Sequence, residues 1–311
     1  MGNEREFPRM GGMASNRYRK YLRVSLRTLM VLVVIFGVLL AWRVNKARQQ
    51  RRAIAAVQEY GGWVHFDYEL VNGKVTPGQG PWAPLWLRRM LGDEYFREVA
   101  YVSLAYDRQG GKRVEIANFK PCDELLEQLV TQTGLKQLLM QRTQATDEGL
   151  KYVGEMTALE ELYIWDATSI TDPGVAHLAG LKNLKKIHVD SSKMTDEGLV
   201  LLSSLPRIEE LSLQSSHFSD QGFLRLKGQD NLTELWTGHG NFQVTDAGLA
   251  RFREFKKLEL IDLQNSKVTA RGLEHLKGMS SLKRVLLSKT GITDSDLEPF
   301  RRAMPNVQVR K

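Results

Sequence analysis

Six aspartates recur along the second half of the chain at spacings that could place carboxylates in a column. They are Asp147, Asp172, Asp196, Asp220, Asp246 and Asp294. A carboxylate repeated once per structural unit is chemistry suited to hard cations such as calcium. Each aspartate also follows a Thr or Ser at an expected helix start, where capping of free backbone amides accounts for it without a metal. We therefore predict no metal site.

The remaining chemistry-bearing residues form no catalytic pattern. His177, His217 and His275 lack metal-ligand spacing, and HExxH, CxxC, GxSxG and Walker-type motifs are absent from the sequence. The single cysteine, Cys122, excludes an intramolecular disulfide framework. It stands at an expected helix start, where the pKa of a thiol can fall, but we interpret it as a small, half-buried residue in the cap of the solenoid. We expect no enzymatic activity and no cofactor.

The aspartates belong to a five-residue motif that occurs seven times. A Thr/Ser-Asp-like pair leads into a Gly-Leu-like pair, and the copies begin at Thr146, Thr171, Thr195, Ser219, Thr245, Thr269 and Thr293. Successive copies start 25, 24, 24, 26, 24 and 24 residues apart. A period in this range indicates a solenoid. Within the motif, Thr or Asp is predicted to cap a helix, and Gly to allow close approach of helix and strand.

Short apolar runs of the form L-x-x-L-x-L separate the motifs. They start at Leu135, Leu159, Leu184, Ile208, Leu232, Leu258 and Leu282. Alternating apolar residues predict strands, and the apolar residues at every third position after each motif predict a helical segment. One unit is therefore a strand, a turn and a helix. Local departures are Ala270 for the Asp of the sixth motif, Asp296 for the Gly of the last, and a two-residue excess around 238–242.

This combination resembles the leucine-rich repeat family, in its 24–26-residue subtype with a convex-side helix. The resemblance covers about residues 99–311 and implies an α/β solenoid with a parallel concave sheet and convex helices. It brings no catalytic residues with it. The whole layout is also similar to bacterial membrane-attached leucine-rich repeat proteins.

One segment is apolar enough to enter a membrane. The 15 residues from Thr28 to Trp42 carry no charge, but as a helix they rise only about 22 Å. Extension to residues 22–44 approaches the thickness of a bilayer core if the flanking arginines snorkel. A cleaved signal peptide is the alternative, but no small-x-small cleavage site follows the run. We predict an uncleaved transmembrane signal-anchor helix at 22–44.

The positive charge of the chain is concentrated around this segment. Residues 1–52 hold 12 Lys and Arg against two Glu, which leaves 32 basic and 34 acidic residues beyond them. The excess therefore indicates membrane topology and excludes a nucleic-acid face. Charge counting does not decide the orientation, because both flanks carry five basic residues. We expect a cytoplasmic tail and exported (periplasmic or extracytoplasmic) repeats, with Met13 as an alternative start.

Four regions follow from these patterns. They are a basic tail at 1–21, the transmembrane helix at 22–44, a juxtamembrane helix and α/β N-terminal cap at 45–98, and the repeat domain at 99–311. In the cap, Ala47–Tyr60 is predicted as a helix, Trp63–Leu70 as a strand, Leu85–Phe96 as a helix and Val99–Tyr106 as a strand.

We expect the functional residues to be strand residues that point away from the core. The middle outward column reads Leu139, Tyr163, His188, Ser212, Trp236, Asp262 and Leu286, and a second includes Trp165 and Asp190. We predict partner binding on the concave face by Tyr163, Trp165, His188, Asp190, Trp236 and Asp262, because aromatic residues commonly dominate interfaces. The partner would be a protein or a surface polymer, with neither nucleic acid nor a small-molecule substrate. The alternative is an envelope scaffold without a dedicated ligand.

Overall fold

The computed structural model describes residues 25–71, 74–76, 80–104, 122–190, 192–214, 216, 218–238 and 244–311. The predicted basic tail, the first residues of the predicted span, His217 and residues 239–243 of the expanded loop lie outside this range. The chain divides into two compact units, Met1–Lys46 and Ala47–Lys311.

The helices are one long N-terminal helix and a series of short ones. They are α1 Leu26–Glu59, α2 Leu85–Leu91, α3 Asp123–Leu129, α4 Asp147–Glu155, α5 Asp172–Ala176, α6 Asp196–Leu202, α7 Asp220–Arg225, α8 Asp246–Leu249 and α9 Asp294–Ala303. Short 3-10 turns stand at 67–69, 93–95, 177–180, 250–254 and 272–276. The sixth motif thus forms a 3-10 turn in place of an α-helix.

Helix α1 runs without a break through the stretch that the sequence divides into a span and a juxtamembrane helix. It is 34 residues long. By length and composition it is the one candidate membrane span among the described residues, and its most apolar part is fully exposed. Beyond Lys46 the helix becomes amphipathic, since Ala47, Gln50, Ala53 and Val57 are buried.

Ten strands of the described chain form one sheet. They are β1 Trp63–Phe66, β4 Val99–Leu104, β5 Gln137–Gln141, β6 Glu161–Trp165, β7 Lys186–Val189, β8 Glu210–Ser212, β9 Glu234–Trp236, β10 Leu260–Asp262, β11 Arg284–Leu286 and β12 Gln308–Arg310, while β2 Leu70–Val71 and β3 Lys74–Val75 pair separately. Strand β1 is antiparallel to β4, and every later neighbour is parallel. This architecture fits a leucine-rich repeat solenoid.

The cap is more broken than the sequence suggests. Strand β1 stops at Phe66 because Asp67–Glu69 form a 3-10 turn, and α2 stops at Leu91 because Gly92 adopts a φ of 98°. A left-handed backbone at that point ends the helix and favours glycine. Because β1 pairs with β4, the cap continues the sheet of the repeats.

The aspartates of the motif join successive units. Except for Asp294 in the last motif, which pairs with Arg301 and Lys311, each carboxylate accepts hydrogen bonds from the backbone amide and the hydroxyl of the Thr or Ser that opens the next motif. The N···O distances are 2.7–3.1 Å and the O···O distances 2.5–2.6 Å, for the pairs Asp123–Thr146, Asp147–Thr171, Asp172–Thr195, Asp196–Ser219, Asp220–Thr245 and Asp246–Thr269. The expectation that these aspartates cap their own helices is therefore wrong. The hydroxyl of Thr or Ser caps α4, α6, α7 and α8, whereas Thr171 makes no such bond at the start of α5.

The glycine of the motif makes room for that carboxylate. A Cβ added at Gly222 would lie closer than 3.0 Å to Asp196 Oδ1, and Gly174, Gly198 and Gly272 meet the aspartate of their own preceding unit in the same way. The predicted reason for this glycine, approach of helix and strand backbones, is thus corrected. What approaches is the side chain of the neighbouring repeat.

The two departures at the C-terminal end explain each other. Ala270 offers no carboxylate to the last motif, so the glycine position there is free to carry Asp296. Asp296 Oδ2 accepts from Thr293 N at 2.9 Å and from Thr293 Oγ1 at 2.6 Å. The last unit therefore closes its capping box within its own helix.

At the other end, a degenerate copy of the motif precedes the seven. Cys122 and Asp123 stand 24 residues before Thr146 and Asp147, and Asp123 makes the same pair of bonds to Thr146. Counting one period back from Thr146 would have found this copy. The glycine position holds Leu125, which fits the absence of a motif aspartate one period earlier.

Candidate functional site on the open face of the sheet

The parallel register aligns the outward residues as the sequence predicts. Leu139, Tyr163, His188, Ser212, Trp236, Asp262 and Leu286 are direct partners on successive strands. Their neighbours in the chain, such as Leu162, Ile187 and Leu235, are completely buried. The column therefore lies on the face of the sheet opposite the core.

Three aromatic side chains meet on this face. The rings of Tyr163 and His188 are 4.6 Å apart at 67°, and those of Tyr163 and Trp165 are 5.7 Å apart at 31°. All three residues are half-buried. The Tyr163–His188 pair is edge-to-face and the Tyr163–Trp165 pair is tilted. Edge-to-face and offset rings at such distances attract each other, so the cluster is a preformed surface. We call Tyr163, Trp165 and His188 the aromatic cluster.

Charged residues two positions earlier in each strand hold the cluster in place. Tyr163 Oη donates to Glu161 Oε2 at 2.9 Å, and His188 Nε2 lies 2.8 Å from Glu210 Oε1. Lys186 Nζ lies between the two carboxylates, 3.6 Å from each. This charged row was not predicted, although its alternation with the aromatic column was a signal available in the sequence.

The electrostatics of the cluster follow from these contacts. The hydrogen bond from His188 holds the pKa of Glu210 below its ordinary value, against the opposing effect of burial. Burial raises the pKa of Tyr163, and the carboxylate of Glu161 adds to the shift. Tyr163 therefore remains a neutral donor.

Trp236 stands apart from the aromatic cluster, two strands further along. Its indole Nε1 donates to Glu234 Oε2 at 3.0 Å, and Glu234 Oε1 lies 3.5 Å from Arg284 Nη2. Ser212, between the aromatic cluster and Trp236, is only 1% exposed. The face thus carries two separate aromatic positions, each next to a carboxylate.

The two predicted aspartates do not face solvent, which corrects that expectation. Asp262 is 1% exposed and Asp190 9%. Asp262 accepts from the backbone amides of Gly238 and Gln264 at 3.2 and 3.0 Å. Asp190 accepts from Ser212 Oγ and Gln214 N at 2.9 and 3.0 Å, and burial raises its pKa. Asp262 thus holds the turns after β9 and β10, and Asp190 holds the end of β8 and the turn after it.

Comparison with known proteins gives matches among solved structures. No protein-family model and no curated protein matches the chain. Among solved structures, it is similar to an internalin C2 (inlC2) from Listeria monocytogenes str. 4b F2365, at 21% identity and a TM-score of 0.43, over 52% of this chain and 66% of that one. An internalin (inlF) from the same strain matches at 21% identity and a TM-score of 0.43, over 60% of this chain and 56% of that one.

Cys122 and the acidic and histidine side chains are the other reactive groups among the described residues of the repeats and the cap. Burial raises the pKa of the Cys122 thiol to about 12, so the predicted helix start does not activate it. Among the described residues, no group of three or more His, Cys, Asp or Glu side chains is arranged to hold a metal ion. The motif aspartates before Asp294 instead accept hydrogen bonds from the next repeat. The open face of the sheet is therefore the candidate site.

The pKa shift of Glu210 predicts how the aromatic cluster responds to acid. A depressed folded-state pKa stabilises the fold above the unfolded value of about 4.3, and this contribution is lost as the pH falls through the folded value. We expect Glu210→Gln to cost about 1–2 kcal/mol at pH 7, and the difference from wild type to shrink below about pH 4. Urea unfolding at pH 7, 5 and 3.5 measures it.

The exposed Glu148, paired only with Lys151 at 3.1 Å, provides the control. Glu148→Gln should have little effect at any of these pH values, because exposed ion pairs contribute little. A Glu210→Gln penalty that is equal at pH 7 and 3.5 would contradict the assignment of the shift to the His188 contact.

Proposed function

We propose that this protein is a membrane-attached recognition module, without catalytic activity, that binds a protein or another polymer through the open face of its parallel sheet. The observation that carries the proposal is the half-buried aromatic cluster, preformed by ring contacts and by the charged row beside it. Tyr and Trp in fixed positions can bury large areas at small entropic cost.

Only some of the outward residues are engaged in hydrogen bonds that hold the fold, and the others support a binding function of this surface. Asp190, Ser212 and Asp262 serve the fold, which leaves Tyr163, Trp165, His188 and Trp236 as partner-binding candidates. Glu161, Lys186 and Glu210 lie beside them and supply charge of both signs. Such a mixture suits a polar polymer surface with a few aromatic contacts.

Membrane attachment is the second part of the proposal. Helix α1 would span the bilayer with its N-terminal end in the cytoplasm, so that the repeats act outside it. Its apolar stretch ends at Trp42, with the guanidinium of Arg43 5.4 Å from the indole ring centroid. Trp and Arg together are typical of the interface between lipid and water. Protease added to spheroplasts should cut the repeats.

Removal of the aromatic side chains should abolish recognition. In cells that carry the full chain, we expect the triple variant Tyr163→Ala, Trp165→Ala, Trp236→Ala to lose at least about 30-fold in crosslinked partner, since one such contact is often worth 2 kcal/mol or more. The measurement is quantitative crosslinking followed by mass spectrometry, with equal membrane levels of both chains.

A matched control removes exposed apolar residues from the helical side. Leu201 and Leu224 are 36% and 39% exposed, and the pair Leu201→Ala, Leu224→Ala should leave the crosslinked partners unchanged. Equal partner recovery from wild type and the triple variant would remove the aromatic face from the proposal. Absence of any enriched partner, with an envelope defect on deletion, would favour the scaffold alternative.

A further inference from the structure

A second exposed apolar surface lies in the cap, far along the chain from the aromatic cluster. Five large apolar residues within ten positions are strongly exposed, namely Trp82 74%, Leu85 64%, Trp86 67%, Met90 66% and Leu91 45%. In the described part of Ala47–Lys311, the other exposed large apolar residues are Leu201 and Leu224, at 36% and 39%. We call the five residues the cap patch. A concentrated patch of this kind marks an interaction surface.

Helix α2 within the cap patch exposes large apolar side chains that an amphipathic helix normally buries. At 100° per residue, Leu85, Trp86, Arg89 and Met90 share one face, and all four are exposed. Leu87 and Arg88, on the other side, are half-buried, while Leu91 lies between them at the C-terminal end of the helix and is exposed. A helix of a water-soluble domain buries its apolar face. This one presents Leu, Trp and Met to the outside, with an arginine among them.

Specific contacts fix the patch on the cap. Arg88 Nε and Nη2 donate to the two oxygens of Asp93 at 2.8 and 2.9 Å, which ties α2 to the turn that follows it. The ring of Trp82 meets Phe96 edge-on at 5.6 Å. Phe96 is 9% exposed and so belongs to the folded cap. The exposure of the patch is therefore a property of the fold.

The patch is also tied to the chain that follows the candidate span. Glu94, three residues after Leu91, forms an ion pair with Arg51 of α1. Arg51 comes nine residues after Trp42, and nine residues of chain reach at most about 30 Å even when fully extended. With Trp42 at the surface of a bilayer, Arg51, which contacts Glu94, is therefore at most about 30 Å of chain from that surface.

The composition of the patch selects lipid as its occupant. Two tryptophans with Leu and Met suit the boundary between headgroups and acyl chains, and exposed arginines at 48, 52 and 89 suit the phosphates above it. We infer that the cap patch inserts into the interface of the membrane that α1 crosses. This rests on the membrane attachment of the proposed function and is independent of the aromatic cluster.

Depth-dependent quenching in nanodiscs tests the inference on the full chain. Trp86→Cys carries a nitrobenzoxadiazole fluorophore, while the native Cys122 is buried and stays unlabelled. We expect a blue-shifted emission and at least threefold stronger quenching by lipids spin-labelled near the top of the acyl chain than the same label shows at Leu224→Cys. Met90→Cys, on the same exposed face, repeats the measurement without altering a tryptophan.

Each outcome is decisive. A label at 86 and 90 that is quenched by aqueous iodide and not by spin-labelled lipid overturns the inference. A label shielded from both is covered by protein, either a partner or a second copy, and also overturns it. The triple variant of the aromatic face should show unchanged lipid quenching. Failure of the chain to enter nanodiscs would contradict the membrane span itself, whereas loss of partner binding alone would not.

Discussion

Replacing Phe252 with alanine should lower the free energy of unfolding by about 4 kcal/mol, the largest effect we expect from one substitution. Phe252 is completely buried, and its ring lies 5.5 Å from Phe223 and 5.7 Å from Phe255. The equivalent positions in neighbouring units hold Leu202, Leu226 and Leu276. The fifth unit therefore has a core shaped around a ring, and alanine would leave a cavity that rigid neighbouring backbones cannot fill.

Urea unfolding of the solubilised chain, followed by circular dichroism, measures the loss. Phe252→Leu is the matched control, because it installs the residue of the neighbouring units, and we expect it to cost about 1 kcal/mol. A solenoid is held by contacts between adjacent units, so hydrogen exchange should accelerate around 218–276 and not around 135–165. A loss below about 1 kcal/mol for the alanine variant would mean that the core repacks freely.

A double-mutant cycle between Asp196 and Gly222 should show strong coupling. Asp196→Ala removes two charge-assisted hydrogen bonds to Ser219, at 2.9 and 2.5 Å, and should cost about 2–3 kcal/mol. Gly222→Ala should cost about 2 kcal/mol, because its Cβ would displace the same carboxylate. Helix propensity alone predicts the opposite sign, a gain of about 1 kcal/mol, so the sign decides which effect dominates.

Gly222→Ala should no longer destabilise the protein once the carboxylate of Asp196 has been removed. The three atoms nearest to the added Cβ at Gly222 all belong to Asp196, and the two closer than 3.0 Å, Oδ1 and Cγ, are removed in Asp196→Ala. Gly222→Ala in that background should therefore be neutral or slightly stabilising. The coupling would then be about 2 kcal/mol. Gly228, with φ of 70° and an empty Cβ site, is the control, because alanine there is strained yet should be additive with Asp196→Ala. Additive losses at 196 and 222 would contradict the interlocking of repeats.

The bonds between successive repeats explain why the sequence revealed the repeat but not the role of its aspartates. The same residue types at the same interval are what a helix cap requires, and the sequence does not distinguish a cap from a bond to the next unit. The two departures at Ala270 and Asp296 contained that information. Among the seven motifs, the glycine is replaced only where the preceding motif lacks its aspartate. Asp123 contained it as well, one period before the first recognised copy.

The aromatic face divides in the same way between what could and could not be predicted. The alignment of Tyr163, His188 and Trp236 follows from the period of the strands, and the structure confirms it. The burial of Asp190 and Asp262 does not follow, because an outward direction leaves open whether neighbouring side chains and turns cover a residue. The charged row at Glu161, Lys186 and Glu210 was accessible from alternation alone.

The sequence by itself determined the repeat, the strand register and the apolar segment near the N-terminus, because each depends on the local spacing of apolar residues. Only the tertiary structure decided which polar groups are bonded, how the aromatic cluster is held, and that α2 turns its apolar side outward. The hydrogen bonds between repeats join residues about 24 positions apart, and the exposure of α2 depends on how the rest of the cap packs around it. Periodicity specifies which face a side chain lies on, whereas burial and bonding depend on what the rest of the fold places against it.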